Sequence, residues 1–532
     1  MWKWRSGLAL GCRYEAFCSA MRSPEVLGSA WRDYVATHGN DSQAWYTLGS
    51  LRSILSPDEW SHLIEFIRAL TPASPDMAFY RAIFLLRFTH ERHWAPEARN
   101  ALAAWRGCSS EHVLNFLYFI WSEACSRSRG ASEFRLLFEQ AGIPELLQDY
   151  GGALAMTEEI PAPSRVSPTP LRKVAVLSPY LTDFAHAGTQ LALEHAALLN
   201  AEGLETVVFV SQDALGLGVA PWLGIPWGLK LAPGNPNTWK PVSGSGSFSV
   251  RMAPAMMPHK SRWQTILKQL SAFSPDVVLF VGFFSPLLTW VSKYYPVLGI
   301  SLHTQPPIGP IDVWLHQFSA GQVIPERWPG QSAYLLREYH FRIALPTVVP
   351  VSLAALNLPQ DTLFLVSTGG RLSKEISAEW SSQIVMRLER YPQWCWLLIG
   401  EGEPIPHLRP SARIHILPYQ EHLPGVLAQC ALYLNPPRMG GGFSVLNAMG
   451  VGLAVISLAD SDGGNKLGPF AANTEHDYWD QLDRLMTDHD ARRRRGSELQ
   501  TRFKRFYDLR QAGPTLMAAL REGQRHFIDR NL

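Results

Sequence analysis

What this chain lacks narrows it first. Its six cysteines, Cys12, Cys18, Cys108, Cys125, Cys395 and Cys430, contain no C-x-x-C pair and no zinc-type spacing, which argues against a thiolate metal site or a disulfide framework. Cys395 and Cys430 sit in apolar runs and read as small buried hydrophobes. That usage fits a reducing compartment. No apolar run approaches the roughly 18 residues that a membrane-spanning helix needs. The opening MWKWRSGLALGCRYEAF is too charged, and its apolar part too short, for a secretory signal, so a cytoplasmic location is expected. Charge is also scarce: 18% of residues are charged and the formal balance is +2. With no global basic field, no nucleic-acid partner is expected.

What is present is apolar surface. The 532 residues are 46% hydrophobic, enough for about three domains. The 19 tryptophans serve packing or form stacking platforms. One charge run stands out, Arg492 to Arg495, followed by Lys504 and Arg505. It reads as the solvated face of a late helix, with peripheral contact to an anionic membrane as the alternative.

The pattern of apolar residues divides the chain. Residues 1–157 show helical spacing throughout, in 44–55, 60–70, 77–88, 98–105, 113–125 and 134–141. Ser56 and Glu59 stand at capping-box spacing, and Ser74-Pro75-Asp76 opens the next helix. Trp45-Tyr46-Thr47-Leu48-Gly49 matches the front of a tetratricopeptide pattern, but nothing repeats it. This helical domain is read either as scaffold or as a dock for a protein or another acceptor. Residues 158–171 form a linker, with four prolines between 161 and 170. Strands and helices then alternate, which predicts parallel sheets with right-handed crossovers. One α/β domain covers 172–350, with a long mobile loop expected over 232–262. A second covers 351–532, with helices at its C-terminal end. Ligands bind at the carboxyl ends of such strands.

The segment from Tyr433 to Ala459 carries the most chemistry. It reads as strand, Pro-Pro stop, glycine triplet (Gly440, Gly441, Gly442), short helix and second strand. The glycines admit close backbone approach. The helix they open presents free N–H groups and a positive dipole end, which suits a diphosphate, and Ser444 adds a hydroxyl. About 70 residues earlier, another strand end carries Gly369-Gly370-Arg371-Leu372-Ser373-Lys374. Arg371 offers a fork of donors and Lys374 a point charge. Together with the glycine N–H groups they can neutralise a diphosphate leaving group. In the first α/β domain, Asp183-Phe184-Ala185-His186 follows the first strand. There His186 is a candidate general base or ligand-binding side chain oriented by Asp183; otherwise this is a helix start capped by Thr189 or Asp183. His303 and Gln305 follow a later strand end and line the same expected cleft. His316 is read as structural. Asp460 and Asp462 are two flexible carboxylates and do not make a metal site.

GGRLSKE, WLLIGEGE and the run from Ala412 through Leu458 together resemble the donor half of glycosyltransferases with two Rossmann-like halves, the GT-B fold. The resemblance covers about 172–525 and implies an α/β architecture of two Rossmann-like domains behind the all-α domain. It implies a nucleotide-diphosphate sugar donor, UDP- or GDP-linked, no further cofactor and no metal. Diphosphate binding would fall to Gly370, Arg371, Lys374 and the glycine triplet with Ser444. The final helix would cross back onto the first half. Retaining members carry two Glu eight apart; here those positions are Met439 and Asn447. Asn447 can still bond a ribose, whereas Met439 cannot replace a carboxylate. The order of domains resembles bacterial cytoplasmic protein glycosyltransferases and O-GlcNAc transferases. The expected activity is hexosyl or N-acetylhexosaminyl transfer to a protein or glycan. A catalytically inactive binding subunit, a lipid-linked or surface-polysaccharide transferase, and a sugar-nucleotide epimerase stand as alternatives.

Overall fold

The computed structural model describes residues 35, 37–39, 41–128, 130–155, 160, 170–182, 186–214, 248–254, 256–301, 305–317, 324–400, 405, 407–409, 411–438 and 440–531. They pack as two compact units, one formed by the described residues of 1–120 with 140–142, the other by those of 121–139, 143–217 and 227–532. The division falls inside the helix Ser110–Arg127.

The first unit is helical. Helices Ser42–Ser50, Pro57–Ala69, Pro75–Thr89 and Trp94–Ala104 precede the first part of Ser110–Arg127. Local chemistry sets their starts. Asp41 accepts the Gln43 N–H at 2.9 Å. Ser56 and Glu59 form the reciprocal capping box, at 2.8 and 3.3 Å. The core is aromatic: Trp45 lies 5.7 Å from Phe84, Trp60 5.0 Å from Phe88, and Phe79 5.8 Å from Phe116. Each such side chain, once buried, contributes about 1.5–3 kcal/mol, so this unit has a core of its own.

The second unit holds two parallel sheets. The first contains β1 (Lys173–Ser178), β2 (Glu205–Val210), β3 (Ser249–Met252), β4 (Val277–Val281), β5 (Val297–Ile300), β6 (Val313–His316) and β7 (Leu335–Glu338), in the order β3-β2-β1-β4-β5-β6-β7. The second contains β8 (Leu363–Gly369), β9 (Trp394–Gly400), β10 (Ile414–Pro418), β11 (Leu432–Leu434) and β12 (Ala454–Ile456), in the order β10-β9-β8-β11-β12. Helices cover both faces, so central strands such as β4 are buried at every position and read as unbroken apolar runs. The chain winds outward in both directions from β1/β4 and from β8/β11. Those are the topological switch points, where crevices open at the strand carboxyl ends.

Three sequence readings need correction. Of the loop expected over 232–262, residues 232–247 and 255 lie outside the described residues, and the remainder holds the edge strand β3 and the start of the helix His259–Phe273. Only Val250 of β3 is buried, so its four residues leave too weak a pattern to recognise. Strands β6 and β7 and the helix Leu288–Tyr294 went unseen in the sequence around and after His303. The basic run is not one solvated face. Arg492 is buried, donates to the Leu485 carbonyl at 2.7 Å and lies over Trp394 at 5.0 Å. Arg495 is half-buried and reaches the Phe470 carbonyl, which leaves only Arg493 and Arg494 of the run exposed.

Helices Ala131–Gln140 and Ile143–Ala155 pack mainly with the second unit, with Gly151 lodged against Thr289. The final helix Gly513–Asn531 returns to the first sheet, as the resemblance implies. Leu516 and Leu520 join the core around Val174 and Leu279. Its Arg530 pairs with buried Asp312 at 2.9 Å. Among the described residues no helix is long and apolar enough to cross a membrane.

Candidate functional site

The glycine turn follows β11, at a switch point. Asn435 leaves the strand, Pro436 and Pro437 end its ladder, and Arg438 turns back beneath the loop. Gly441 stands at the N-cap of the helix Gly442–Gly450 with φ +96, a conformation open to glycine and strained for other residues. A Cβ there would also run into Asn435 Oδ1 and lie 2.8 Å from Arg438 Nη2. The helix start therefore rests directly on Asn435 and Arg438. Asn435 Nδ2 donates to Ser457 Oγ at 3.0 Å. The Gly442 N–H donates to Asp462 Oδ2 at 3.1 Å, so an anion, in the form of a side-chain carboxylate, already sits at this helix start. Ser444 is half-buried in the first turn. Asn447 is buried, and its Nδ2 donates to the Phe443 carbonyl at 2.9 Å.

The loop after β8 meets this turn. Arg371 Nη2 would lie 3.5 Å from a Cβ at Gly440. Its guanidinium is paired with Glu375, Nε and Nη2 lying 3.0 and 2.9 Å from Oε1. The other Glu375 oxygen accepts from Arg438 Nη1 at 2.7 Å. Arg438 also donates to Asn435 Oδ1 at 2.9 Å and to the Thr368 carbonyl at 2.8 Å. Burial alone would raise the Glu375 carboxyl, but the charges of Arg371 and then Arg438 outweigh it and hold the group below its usual range. Two arginines against one carboxylate leave net positive charge beside the glycines. Lys374 is exposed and has no ion-pair partner among the described residues. Gly370 has open space around its α-carbon.

The first sheet contributes the loop after β1. Asp183 and His303 lie outside the described residues, as does Met439. His186 is itself the N-cap of the helix Ala187–Ala201, which corrects the expectation that Thr189 or Asp183 would cap it. Its Nδ1 accepts the Thr189 N–H at 3.2 Å. With that nitrogen accepting, the neutral ring carries its proton on Nε2. In this tautomer His186 offers a ligand a donor rather than a base. Its ring lies 5.6 Å from Tyr180, and buried Tyr180 is within electrostatic reach of both Cys125 and Arg371. The loops after β1 and β8 thus approach one another. Burial pushes the Cys125 thiol up to about 12, against the pull of Arg371. Gln305 is buried, and its Oε1 accepts from Arg135 at 3.1 Å.

Sequence reasoning missed several groups here. Glu375 and Arg438 set the position of Arg371, yet nothing in their spacing, 63 residues apart, announces a pair. Asp462 and Lys466 stand at i,i+4, with Lys466 Nζ 3.1 Å from Asp462 Oδ1; that spacing is common on helices and marks no site. Both line a small pocket with Ser301, Trp314, His316 and Phe341. Burial, helped by the Lys466 charge, pushes the His316 imidazole down to about 3. Asp460 turns the other way and accepts the Ala131 N–H at 3.3 Å. Among the described residues, no group of three His, Cys, Asp or Glu side chains is placed to hold a metal ion.

The comparison with solved structures reproduces this architecture along almost the whole chain. A variant of the O-GlcNAc transferase of Thermobaculum terrenum superposes with a TM-score of 0.57 at 13% identity, covering 97% of this chain and 96% of that one. The chain has the GT-B fold. A sucrose-phosphate synthase of Thermosynechococcus elongatus covers 66% of this chain and 98% of its own, with a TM-score of 0.46 and 15% identity. SnogD, a glycosyltransferase of Streptomyces nogalater, covers 66% and 100%, with a TM-score of 0.39 and 13% identity. No protein-family model matches the sequence, and no curated protein matches it. In this GT-B chain the two crevices belong to one unit, joined by Gln317, which donates to the Asn465 carbonyl at 2.6 Å and to Tyr507 Oη at 2.8 Å.

Proposed function

We propose that this chain is a glycosyltransferase that moves a sugar from a nucleotide-diphosphate donor, UDP- or GDP-linked, onto a protein or glycan acceptor. The observation that carries this reading is the meeting of Arg371 with the glycine turn at the β8/β11 switch point of a GT-B fold. Breaking a sugar–diphosphate bond builds charge on the departing phosphate. Fixed N–H groups and cations aimed at that charge lower the barrier more than they stabilise the bound donor. Arg371, Lys374, the N–H groups around Gly442 and the Ser444 hydroxyl are assigned to the diphosphate. His186, through Nε2–H, is assigned to the donor sugar or its leaving oxygen. The helical unit is assigned to acceptor docking. The proposed transfer is hexosyl or N-acetylhexosaminyl, with protein groups rather than a metal meeting the phosphate charge, and the setting is a bacterial cytoplasm.

One observation favours the second reading, a GT-B chain that binds without catalysing. The Arg371 guanidinium is already engaged by Glu375, and the Gly442 N–H by Asp462. Thermal unfolding with UDP, GDP, dTDP and CMP separates the two. A single stabilising nucleotide, by about 2.7 kcal/mol at a hundredfold excess over Kd, supports a donor site, and hydrolysis or transfer of the matching sugar nucleotide supports the transferase. Stabilisation without turnover supports the binding subunit. No response to any nucleotide removes the donor site.

A further inference from the structure

Lys466 is a buried cation beside open space. Its side chain is 6% exposed. Its ammonium lies 4.9 Å from the Phe341 ring centroid and lines the pocket that Trp314 and His316 also line. Trp314 is fully buried, and its Nε1 donor has no partner among the described residues. A buried ammonium requires an anion. Asp462 supplies one: Oδ1 takes Lys466 Nζ and Oδ2 takes the Gly442 N–H, both at 3.1 Å. One carboxylate thus bridges a lysine and the start of the glycine helix with its two oxygens, as two oxygens of a phosphate group would. A Cβ at Gly442 would collide with this carboxylate, so the glycine leaves room for an anion.

The main chain around the pair is fixed. Ser461 caps the short helix Asp462–Leu467 through the Gly464 N–H at 2.9 Å, and its hydroxyl meets Ser457 at 3.1 Å. The Lys466 carbonyl accepts from Tyr507 Oη at 2.8 Å and from Arg502 Nε at 2.9 Å. Asp462, at 16% exposure, retains a path to solvent. Exchange of its carboxylate for another anion therefore needs rotation of one short side chain and no refolding.

We propose that Lys466 is a phosphate-binding cation of this cleft, and that Asp462 is its internal stand-in, holding the anion seat until a diphosphate displaces it. This rests on the reading of the glycine turn as a diphosphate site. It predicts that the resting seat is neutral, and that the ligand takes over both partners of the carboxylate.

The test is calorimetric titration of the full-length protein with inorganic pyrophosphate and, separately, with UDP. Asp462→Asn keeps the shape and removes the competing charge; pyrophosphate should bind about fivefold tighter or more. Lys466→Met should bind about tenfold weaker or more. Asp462→Ser and Lys466→Gln replace either variant that fails to give the wild-type circular dichroism spectrum. Binding to Asp462→Asn but not to wild type also supports the proposal. If both variants bind pyrophosphate and UDP within about twofold of wild type, the inference is overturned while the donor-site reading stands. If neither wild type nor Asp462→Asn binds either probe, the donor-site reading itself fails and the inference with it.

Discussion

Replacing Glu375 by glutamine tests what holds Arg371 at the glycine turn. The carboxylate is 2% exposed and takes two contacts from Arg371 and one from Arg438. An amide can accept on one side only; on the other its NH2 faces a guanidinium, donor against donor. Two arginines, one buried and one partly so, would then share no counter-ion. Removing one partner of a buried ion pair costs about 3–5 kcal/mol, and the retained amide acceptor places Glu375→Gln near the lower end. Urea unfolding followed by tryptophan fluorescence reads this directly, because Trp380 and Trp396 pack together at 5.5 Å in the same half. The midpoint should fall with the slope unchanged. The pH dependence fixes the sign. The Glu375 pKa lies below its unfolded value of 4.5, so its stabilisation is fully present above that value and is lost as pH falls through the folded one. The difference between wild type and variant should therefore close only in acid. The freed positive charge should also make the variant respond more strongly to UDP. A loss below about 0.5 kcal/mol at pH 7, inside the range of ordinary surface substitutions, would refute the idea that this carboxylate organises the arginines.

Other consequences follow from single contacts. His195 is buried between the Leu191 carbonyl and Tyr339 Oη, at 2.8 and 2.7 Å, and burial pushes it from 6.5 down to about 4. The unfolded chain binds that proton first, so stability is lost as pH falls from 6.5 toward 4; about 2 kcal/mol should go between pH 7 and pH 5, and His195→Gln should flatten that slope in urea titrations. Gly441→Ala places a side chain at positive φ against Asn435 and should cost about 1–3 kcal/mol while removing the thermal response to nucleotide. His186→Asn retains a capping acceptor, so its melting temperature should stay near wild type, whereas His186→Ala should lose about 1 kcal/mol; both should lose sugar transfer if Nε2–H is what the reaction uses.

Much of the fold was legible because parallel strands buried on both faces declare themselves. Val277–Val281 and Trp394–Gly400 are apolar from end to end, and each helix between them has its own stop and start. Strands β3 and β7 were not, because edge strands of four residues are only partly buried and lose that signature; β6 is fully buried, but its four residues, ending in His316, are too short a run to declare a strand. The site divides in the same way. The glycine triplet and Arg371 were legible because backbone freedom and fixed charge are properties of single residues. Glu375, Arg438 and Asp462 were not, because their roles lie in pairings across loops that only the assembled sheet brings together. The basic run misled for a related reason: a string of arginines suggests solvent, but the stems of Arg492 and Arg495 lie on Trp394 and Phe470.

Asn447 shows how far a missing carboxylate changes the donor reading. Its Nδ2 is spent on the Phe443 carbonyl one turn back, while its Oδ1 makes no hydrogen bond among the described residues. What remains toward a ligand is an uncharged acceptor, the half of a carboxylate's function that a ribose hydroxyl needs. Under the proposed reading the nucleoside is therefore recognised here by a neutral bond, worth about 1 kcal/mol, rather than by a charge-assisted one worth about twice that. Asn447→Leu keeps the volume and removes the acceptor. It should weaken UDP by about five- to tenfold and leave pyrophosphate unchanged, because the diphosphate seat at Gly442 lies more than one helical turn before it. Equal weakening of both probes would mean that Asn447 acts by holding the glycine helix in shape and touches no nucleoside.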